Sequence, residues 1–226
     1  GILQQMLERG VLENREWIDT DTGTPQGGVI SPLLANVYLN PLDHRMQKAG
    51  HLLVRYADDL VIQCRTREEA DRALALVQAW TAQAGLTLHP TKTKIVDAET
   101  DGFDFLGYRF VKHRRFPRRK SLTKFRDAIR AKTRRTAGRS LNMIVTDVNR
   151  TLRGWFEYFK HSTRSTFPEL DAWIRMRFRS ILRKWQGRSG RGRGADHHRW
   201  PNAYFTKQGL FNLTTTHDLV SQSSQR

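Results

Sequence analysis

The fold is decided by one stretch of the chain, Leu52-Leu53-Val54-Arg55-Tyr56-Ala57-Asp58-Asp59-Leu60-Val61-Ile62-Gln63-Cys64. Two short apolar segments flank an adjacent pair of aspartates, a pattern that predicts a β-hairpin with its turn at the acidic pair. Asp-Asp is a poor sequence for a tight two-residue turn, in which Asn-Gly or Asp-Gly is favoured. Two interpretations are open at this point. The pair is either a solvated turn or a set of hard oxygen ligands that hold Mg²⁺ for phosphoryl transfer.

A glycine-rich loop lies upstream of the hairpin, with the sequence Pro25-Gln26-Gly27-Gly28-Val29-Ile30-Ser31-Pro32. It leads into a predicted helix in which Ser31 is the N-cap and Pro32 the first helical residue. Gly27 and Gly28 have no side chains, so a nucleotide or base pair can approach the backbone closely. An ordinary helix start explains the loop taken alone. The order and spacing of the loop and the hairpin make the combination specific.

Together these segments resemble the palm of reverse transcriptases, most closely those of group II introns. The loop is similar to the family's template and nucleotide-positioning motif, and Tyr56-Ala57-Asp58-Asp59 is similar to its metal-binding motif. The segment Gly85 to Lys94 resembles the next motif, whose lysine, here Lys92, lies near the incoming triphosphate. The segment Phe103 to Phe110 resembles the primer grip.

The resemblance continues beyond the palm. Leu152-Arg153-Gly154-Trp155-Phe156-Glu157-Tyr158-Phe159 and Trp200-Pro201-Asn202-Ala203-Tyr204-Phe205 resemble the maturase-specific thumb region of intron-encoded proteins. The similarity therefore runs from about residue 10 to about residue 216.

The resemblance implies an RNA-directed DNA polymerase, in which a primer 3′-hydroxyl attacks the α-phosphate of a deoxynucleoside triphosphate. Asp58 and Asp59 would be the catalytic residues and the Mg²⁺ ligands. The nucleotide and template site would comprise Gln26, Gly27, Gly28, Tyr56, Ala57 and Lys92. The primer grip would comprise Phe105, Leu106, Gly107 and Tyr108. The implied partners are intron RNA, an RNA template, a DNA primer and deoxynucleoside triphosphates.

A non-catalytic alternative is open on the same residues. A maturase binds its group II intron RNA and assists splicing, which requires a basic thumb and no metal site. The adjacent carboxylates Asp58 and Asp59 favour the polymerase. A retron-like or telomerase-like enzyme would explain the palm but not the thumb resemblance.

One element of the polymerase pattern is not found in the sequence. The family carries a third catalytic aspartate on a strand before the glycine-rich loop, whereas Asp19 and Asp21 lie in a polar segment without a flanking apolar strand. We therefore expect the chain to be the C-terminal part of a longer protein, without the fingers region, and expect little polymerase activity from it alone.

The predicted fold class is α+β: a partial palm of antiparallel sheet with packed helices, followed by an all-helical basic domain. We predict the palm over residues 1–111, the helical thumb or maturase domain over 112–186, and a basic linker and frayed tail over 187–226. Predicted helices cover 2–9, 31–50, 66–85, 121–135, 141–161 and 168–185. Predicted strands cover 86–88, 94–96 and 103–111.

Charge divides the chain in the same way. Residues 1–110 carry 11 Lys+Arg and 15 Asp+Glu, whereas residues 111–226 carry 28 and 7, within a net charge of +17. This asymmetry indicates that the second part binds a polyanion, and nucleic acid is the natural one. The predicted RNA-binding residues are Arg114, Arg115, Arg118, Arg119, Lys120, Arg134 and Arg135. A solvated linker is the competing interpretation.

Cysteine content and hydropathy set further limits. The single cysteine, Cys64, cannot form an internal disulfide and rules out cysteine-based zinc clusters. No apolar run approaches the length of a membrane span. We expect no membrane partner and a cytoplasmic location of bacterial type, with an organelle as the alternative. His197-His198 is expected to serve structure or RNA contact, because no matching ligand set lies nearby.

Overall fold

The computed structural model describes residues 11–13, 16–18, 30–136, 138–192 and 194–223. The chain divides into two compact units, Gly1–Ile95 and Val96–Arg226. The sequence-predicted helix over 2–9 lies outside the described residues. Among the described helices, none is both long enough and apolar enough to cross a membrane.

The described part of the first unit contains two antiparallel strand pairs and two helices. Strands β1 (Val11–Glu13) and β2 (Glu16–Ile18) pair with each other, and β3 (Leu52–Tyr56) pairs with β4 (Asp59–Gln63). Helix α1 (Ser31–Lys48) precedes the second hairpin and α2 (Arg67–Gln83) follows it. The buried core of this unit consists of Leu42, Met46, Ala73 and Val77. Alternate residues of the hairpin, including Leu53, Leu60 and Ile62, pack against that core, as the period of two in a strand requires.

Helix α1 begins one residue earlier than the sequence predicts. Ile30, not Ser31, is the N-cap, and Ser31 is the first helical residue. The helix continues through Pro41, whose missing amide hydrogen does not end it. At its C-terminus, Gly50 has φ +79°, a conformation that glycine adopts without steric cost.

Two predicted strands are wrong. Residues 86–88 and 94–96 have no strand conformation, and no described strand pairs with them. Their apolar alternation is compatible with a strand, but a ladder exists only where a partner provides hydrogen bonds. The single predicted strand over 103–111 is instead a hairpin, because Leu106 and Gly107 form a turn within it.

The second unit joins a small antiparallel sheet to a bundle of helices. The sheet has the order β5 (Phe103–Phe105), β6 (Tyr108–Val111), β7 (Arg114–Pro117). The long helices are α3 (Arg119–Lys132), α4 (Leu141–Phe159) and α5 (Thr166–Trp185). Three further helices complete the described part of the unit: α6 (Asp196–Arg199), α7 (Asn202–Lys207) and α8 (Leu213–Ser223).

A continuous apolar core joins these helices. Its members lie mainly on α4 and α5 and include Val148, Leu152, Phe156, Phe167, Ile174 and Phe178, each no more than 1% exposed. The helical spacing of apolar residues in α5 predicts a buried stripe of Leu170, Ile174, Phe178, Ile181 and Trp185. The first four are buried, whereas Trp185 is 46% exposed. The mixed helix-and-sheet class with small antiparallel sheets is confirmed.

The composition of the glycine- and arginine-rich segment 186–194 predicts a linker too polar and flexible to pack, and this is wrong for the residues described. Gly192 is buried, and its amide donates to Ser180 Oγ at 3.1 Å. A Cβ on Gly192 would lie 2.4 Å from the Cβ of Arg179, so only glycine allows this approach. The Arg183 Nε also donates to the Ser189 carbonyl at 2.6 Å. These long-range contacts cannot be deduced from local composition.

The predicted frayed tail is also wrong, because its described residues belong to α8. The buried carboxylate of Asp171 accepts from the amides of Leu213 at 3.0 Å and Thr214 at 2.9 Å, which caps the start of this helix. Arg164 holds Asp218 through two hydrogen bonds of 2.7 and 2.8 Å. Partners on α5 and the loop before it therefore order a segment that looks unstructured in isolation.

Candidate active site and nucleic-acid interface

The hairpin that carries the two aspartates forms as predicted, but its turn is shifted by one residue. Tyr56 pairs with Asp59, so the turn residues are Ala57 and Asp58 and not the acidic pair. Ala57 has φ +53°, which is uncommon for a residue with a side chain. Asp58 therefore lies in the turn, and Asp59 is the first residue of β4.

Hydrogen bonds from the Arg55 side chain connect this turn to helix α1. The Arg55 Nε and Nη2 donate to the two carboxylate oxygens of Asp43 at 2.8 and 2.6 Å, and its Nη1 donates to Asn36 Oδ1 at 2.9 Å. The same Nη1 donates to the Ala57 carbonyl at 2.9 Å. The Arg55 side chain is only 9% exposed, and hydrogen bonding to Asp43 raises its pKa above the ordinary arginine value. One side chain thus holds the unusual Ala57 conformation against the helix.

The carboxylates of Asp58 and Asp59 are both exposed. Neither forms a hydrogen bond or an ion pair with another described residue. Two adjacent carboxylates without internal partners remain free to bind a cation, and hard oxygen donors of this kind suit Mg²⁺. The residues present therefore fit a magnesium ion.

The rest of the predicted nucleotide and template site is only partly described. Gln26, Gly27 and Gly28 lie outside the described residues. Tyr56 is 67% exposed beside the turn, on the side of β3 that does not pack on the core. Lys92 is exposed in a turn closed by hydrogen bonds from the amides of Lys92 and Thr93 to the His89 carbonyl. That the Lys92 side chain lies near a bound triphosphate stays a prediction.

The predicted primer-grip residues form the β5–β6 hairpin in the second unit. Phe105 pairs with Tyr108, and the turn residues Leu106 and Gly107 have φ +47° and +79°. Two positive φ values are what a type I′ hairpin turn needs, and they match the twist of the flanking strands. Asp104 is exposed, and its Oδ1 accepts a hydrogen bond from Arg109 Nη1 at 3.2 Å.

This turn is docked on the helices of the same unit. The Gly107 carbonyl accepts from the Arg118 amide at 2.9 Å and from Ser121 Oγ at 3.1 Å, at the start of α3. The Tyr158 hydroxyl donates to the Leu106 carbonyl at 2.8 Å, and the Tyr108 hydroxyl donates to the Tyr158 carbonyl. Partial burial raises the pKa of Tyr108. These hydrogen bonds therefore hold the β5–β6 hairpin against the end of α4.

Substitution at Gly107 tests the importance of this turn. A Cβ at position 107 would meet Ser121 Oγ at 3.5 Å and the Phe159 ring at 3.6 Å, which are ordinary van der Waals contacts. The free-energy cost of Gly107→Ala therefore comes from the backbone φ of +79°, which residues with a side chain rarely adopt. We expect a loss of about 1–2 kcal/mol in unfolding free energy, measured by urea denaturation. Gly154→Ala, in the exposed middle of α4, is the control and should stabilise by about 0.5–1 kcal/mol. Equal effects at both positions would contradict the assignment of strain to the turn.

Exposed cations surround the two ends of α3. Arg114 and Arg115 lie on β7, and Arg119 and Lys120 lie in the first turn of the helix. Among the described carboxylates, none forms an ion pair with these four residues or with Arg134. Arg118, half-buried, and Arg135, which donates to the Gly190 carbonyl at 3.1 Å, are more constrained members of the predicted set. The predicted cations are thus largely available to an external anion.

The start of α3 has an additional attraction for anions. Its N-cap, Arg118, makes no side-chain capping hydrogen bond, and the first turn contains no acidic residue. Unpaired amides and the helix dipole favour negative charge at this position. The neighbouring arginines repel one another, so they too favour an anion here. An open groove with a volume of about 640 Å³ lies beside it, with Arg109, Arg119 and Arg126 in its lining. The arrangement suits phosphate groups of a nucleic acid.

The residues that sequence reasoning missed are those that act across long separations in the chain. The sequence alone assigns no role to Arg55, Asp43 or Asn36. The available signal was a charged residue at an inward-facing strand position, which requires a partner when buried. The helical spacing of the aromatic residues Trp155, Phe156, Tyr158 and Phe159 predicts a core position for them. This is confirmed for Phe156 and Phe159, whereas Tyr158 is 54% exposed.

Sequence comparisons match two segments of the chain to known domains. Residues 2–110 match the family described as reverse transcriptase (RNA-dependent DNA polymerase), and residues 122–200 match the group II intron, maturase-specific domain.

Individual relatives agree with these matches. An uncharacterized 91 kDa protein in the cob intron of Schizosaccharomyces pombe is 27% identical over 47% of this chain and 20% of its own length. The group II intron-encoded protein LtrA of Lactococcus lactis subsp. cremoris is 52% identical over 19% of this chain and 7% of its own. A Pol polyprotein from the type-1 retrotransposable element R1 of Nasonia vitripennis is 30% identical over 31% of this chain. The aligned segments span between 7% and 23% of these relatives.

Proposed function

From the premise that the chain belongs to the proteins that join a reverse transcriptase domain to a group II intron maturase-specific domain, we propose that it takes part in RNA-directed DNA synthesis. The observation that carries the proposal is the exposed pair Asp58 and Asp59, which has no partner among the described residues and lies at a turn fastened by Arg55. A solvated turn needs no such buried anchor. A metal site does, because its ligands must be held in place.

In the proposed reaction, a primer 3′-hydroxyl attacks the α-phosphate of a deoxynucleoside triphosphate and pyrophosphate leaves. Asp58 and Asp59 would hold Mg²⁺, which supplies positive charge that stabilises the transition state when it is bound. Arg55 maintains the turn on which both carboxylates are presented. The exposed ammonium of Lys92 would lie near the leaving pyrophosphate. Gln26, Gly27 and Gly28 would position the nascent base pair.

The second unit would bind the nucleic acid. Residues 96–226 carry 29 Lys+Arg and 11 Asp+Glu, so this unit holds more than the whole net charge of the chain. Most of its carboxylates are already paired internally, as in the Arg126–Glu169, Arg139–Asp147 and Arg164–Asp218 pairs. The exposed cations around α3 therefore lack internal compensation and favour a polyanion. The Phe105 to Tyr108 hairpin, adjoining the same helix, would hold the primer end.

A second candidate function is intron RNA binding without catalysis, as in a splicing maturase. The basic surface around α3 supports it, because RNA binding requires that surface and makes no use of Asp58 or Asp59. Both functions would use the same cations, so an affinity measurement alone does not separate them.

Primer extension separates the two functions. The chain, supplied with an upstream fingers region and first palm strand, is given an RNA template, a DNA primer, deoxynucleoside triphosphates and Mg²⁺, and we expect template-dependent DNA product. Intron RNA binding is measured on the same preparation by filter retention. Intact RNA binding without DNA product at any Mg²⁺ concentration would overturn the polymerase proposal and support the maturase.

The dependence of RNA affinity on salt tests the basic surface. We expect the logarithm of the association constant to fall linearly with the logarithm of salt concentration, because bound cations release counterions from phosphates. Replacing Arg114, Arg115, Arg119 and Lys120 with glutamine should reduce the magnitude of the slope by about 0.7–0.9 for each phosphate contact removed. The measurement is a series of binding titrations at increasing salt.

A matched variant controls for net charge. Lys48, Arg65, Arg67 and Arg72 are four exposed cations of the first unit, and their replacement with glutamine removes the same charge. We expect this variant to keep the slope of the wild-type chain. A similar loss of slope in both variants would show that binding depends on overall charge and not on the surface around α3.

A further inference from the structure

Three potential metal ligands converge at the open end of the β3–β4 hairpin. The Nδ1 or Nε2 of His51, the thiol of Cys64 and a carboxylate oxygen of Glu69 all lie within 4.8 Å of one another. The Leu52–Gln63 pair closes this end, while Tyr56 and Asp59 close the other. The cluster is therefore separated from the aspartate turn by the length of the strands, roughly 15 Å.

His51 is held by the end of helix α1. Its amide donates to the Met46 carbonyl at 3.0 Å and the Gly50 amide donates to the Gln47 carbonyl at 3.0 Å, the two hydrogen bonds of a Schellman motif. The His51 side chain is only 7% exposed, and its Nδ1 is buried without a hydrogen-bond partner. The nearest carboxylate oxygen, Glu69 Oε1, is 3.7 Å away, which is too far for a hydrogen bond. A buried polar atom in this state calls for a physical explanation.

Glu69 is held by a capping arrangement at the start of α2. Thr66 Oγ1 accepts from the Glu69 amide at 3.2 Å, and Glu69 Oε2 accepts from the Arg65 amide at 2.7 Å. These bonds fix the carboxylate and leave Oε1 facing His51.

Cys64 follows the last paired residue of β4. Continuing the register of Leu52 with Gln63 places Cys64 opposite His51. Its side chain packs against the core of the first unit, so it is a fixed donor and not a mobile surface thiol.

We propose that His51, Cys64 and Glu69 form a binding site for a borderline-soft divalent cation of the Zn²⁺ type. Thiolate and imidazole donors select such an ion over Mg²⁺, and a carboxylate completes three protein ligands. Zinc bonds of roughly 2.0–2.3 Å separate neighbouring ligand atoms by about 3.3–3.8 Å, close to the His51–Glu69 distance of 3.7 Å. The thiol proton passes to solvent when the sulfur binds the ion.

The site modifies one expectation drawn from composition. One cysteine rules out sites with two or more cysteine ligands, but it is sufficient for a mixed set of sulfur, nitrogen and oxygen. A bound ion would tie the end of α1, the base of the hairpin and the start of α2 together. The proposal is independent of the polymerase function, because it concerns the opposite end of the hairpin.

Cobalt titration tests the site directly. Co²⁺ replaces Zn²⁺ as a probe, and a thiolate ligand gives a charge-transfer absorption in the near ultraviolet. Because Cys64 is the only cysteine in the chain, this absorption reports on one position. We expect it to saturate at one equivalent of Co²⁺ per chain and to be displaced by Zn²⁺. Zn²⁺ should also raise the thermal unfolding midpoint in a concentration-dependent way.

Substitutions identify the other ligands. Cys64→Ser should abolish the absorption and the thermal shift, and His51→Gln and Glu69→Gln should each weaken Co²⁺ binding by at least tenfold. Glutamine at 69 keeps an oxygen that can accept from the Arg65 amide, so the helix start is retained. His44→Gln, on the exposed surface of α1, is the matched control and should bind Co²⁺ as the wild type does.

The proposal is overturned by three results. One is the absence of a saturable thiolate absorption in the wild-type chain, a result that does not depend on the folding of any variant. The second is a Co²⁺ affinity that is unaffected by both His51→Gln and Glu69→Gln. The third is Zn²⁺ stabilisation that survives in Cys64→Ser, which would show that the bound ion does not use the Cys64 sulfur.

Discussion

Asp58→Asn is expected to reduce Mg²⁺-dependent primer extension, measured on the chain supplied with an upstream fingers region and first palm strand, by about 10³-fold or more. Asparagine keeps the size of the side chain and removes its charge, so the proposed metal ligand is lost while the hairpin is retained. Metal stabilisation of transition-state charge contributes several kcal/mol, and each 1.36 kcal/mol corresponds to about tenfold in rate. The measurement is single-turnover extension of a labelled primer on an RNA template at saturating nucleotide.

Two comparisons make this result interpretable. Asp71→Asn removes an equally exposed carboxylate on α2 and should leave the rate within about twofold, because surface substitutions of this kind change stability by no more than about 0.5 kcal/mol. RNA affinity should be unchanged in Asp58→Asn, since the proposed RNA surface lies in the second unit. A rate in Asp58→Asn close to that of the wild type would exclude the carboxylate from the metal site.

Phe156→Ala is expected to lower the unfolding free energy of the second unit by about 3–5 kcal/mol. The ring is 1% exposed and lies 5.7 Å from the Phe167 ring and 5.8 Å from the Phe211 ring, between centroids. Its removal leaves a cavity in the core that α4 and α5 share, in addition to the lost transfer free energy. Urea unfolding followed by near-ultraviolet circular dichroism measures the change.

The control for Phe156→Ala is its neighbour in the same motif. Glu157 is exposed and its only described ion pair is with Lys160 on the surface, so Glu157→Ala should change stability by less than about 0.5 kcal/mol. Salt-dependent RNA binding should weaken in Phe156→Ala only at temperatures where the second unit unfolds. Equal destabilisation by the two substitutions would show that the motif is not part of this core.

The elements with strong local signals could be predicted from the sequence. The β3–β4 hairpin follows from the two apolar runs that flank the acidic pair, and α2 from the capping-box sequence Thr66-Arg67-Glu68-Glu69, in which the Thr66 hydroxyl accepts from the Glu69 amide. The apolar spacing in α4 and α5 predicted both helices within about two residues at each end, the usual uncertainty in helix boundaries. These features depend on neighbours within one or two turns, which the sequence displays directly.

The errors concern segments whose conformation depends on distant partners. Residues 86–88 and 94–96 have strand-like composition without a described strand to pair with, and 186–194 has the composition of a linker but packs against Arg179 and Ser180. Helix α8 is capped by Asp171, more than forty residues earlier in the chain. Local propensity is weak in each case, so tertiary hydrogen bonds and close packing determine the outcome.

Some features of the candidate site likewise follow from the sequence, and others depend on the tertiary structure. The sequence by itself determined the chemistry: two adjacent carboxylates, a basic second half and the ordered motifs of a reverse transcriptase and a maturase domain, because residue types and their order are fixed covalently. Only the tertiary structure decided that the turn is Ala57-Asp58, that Arg55 secures it through Asp43 and Asn36, and that His51, Cys64 and Glu69 meet. Such contacts join residues up to nineteen positions apart, and they arise only when a buried polar group must find a partner as the core forms.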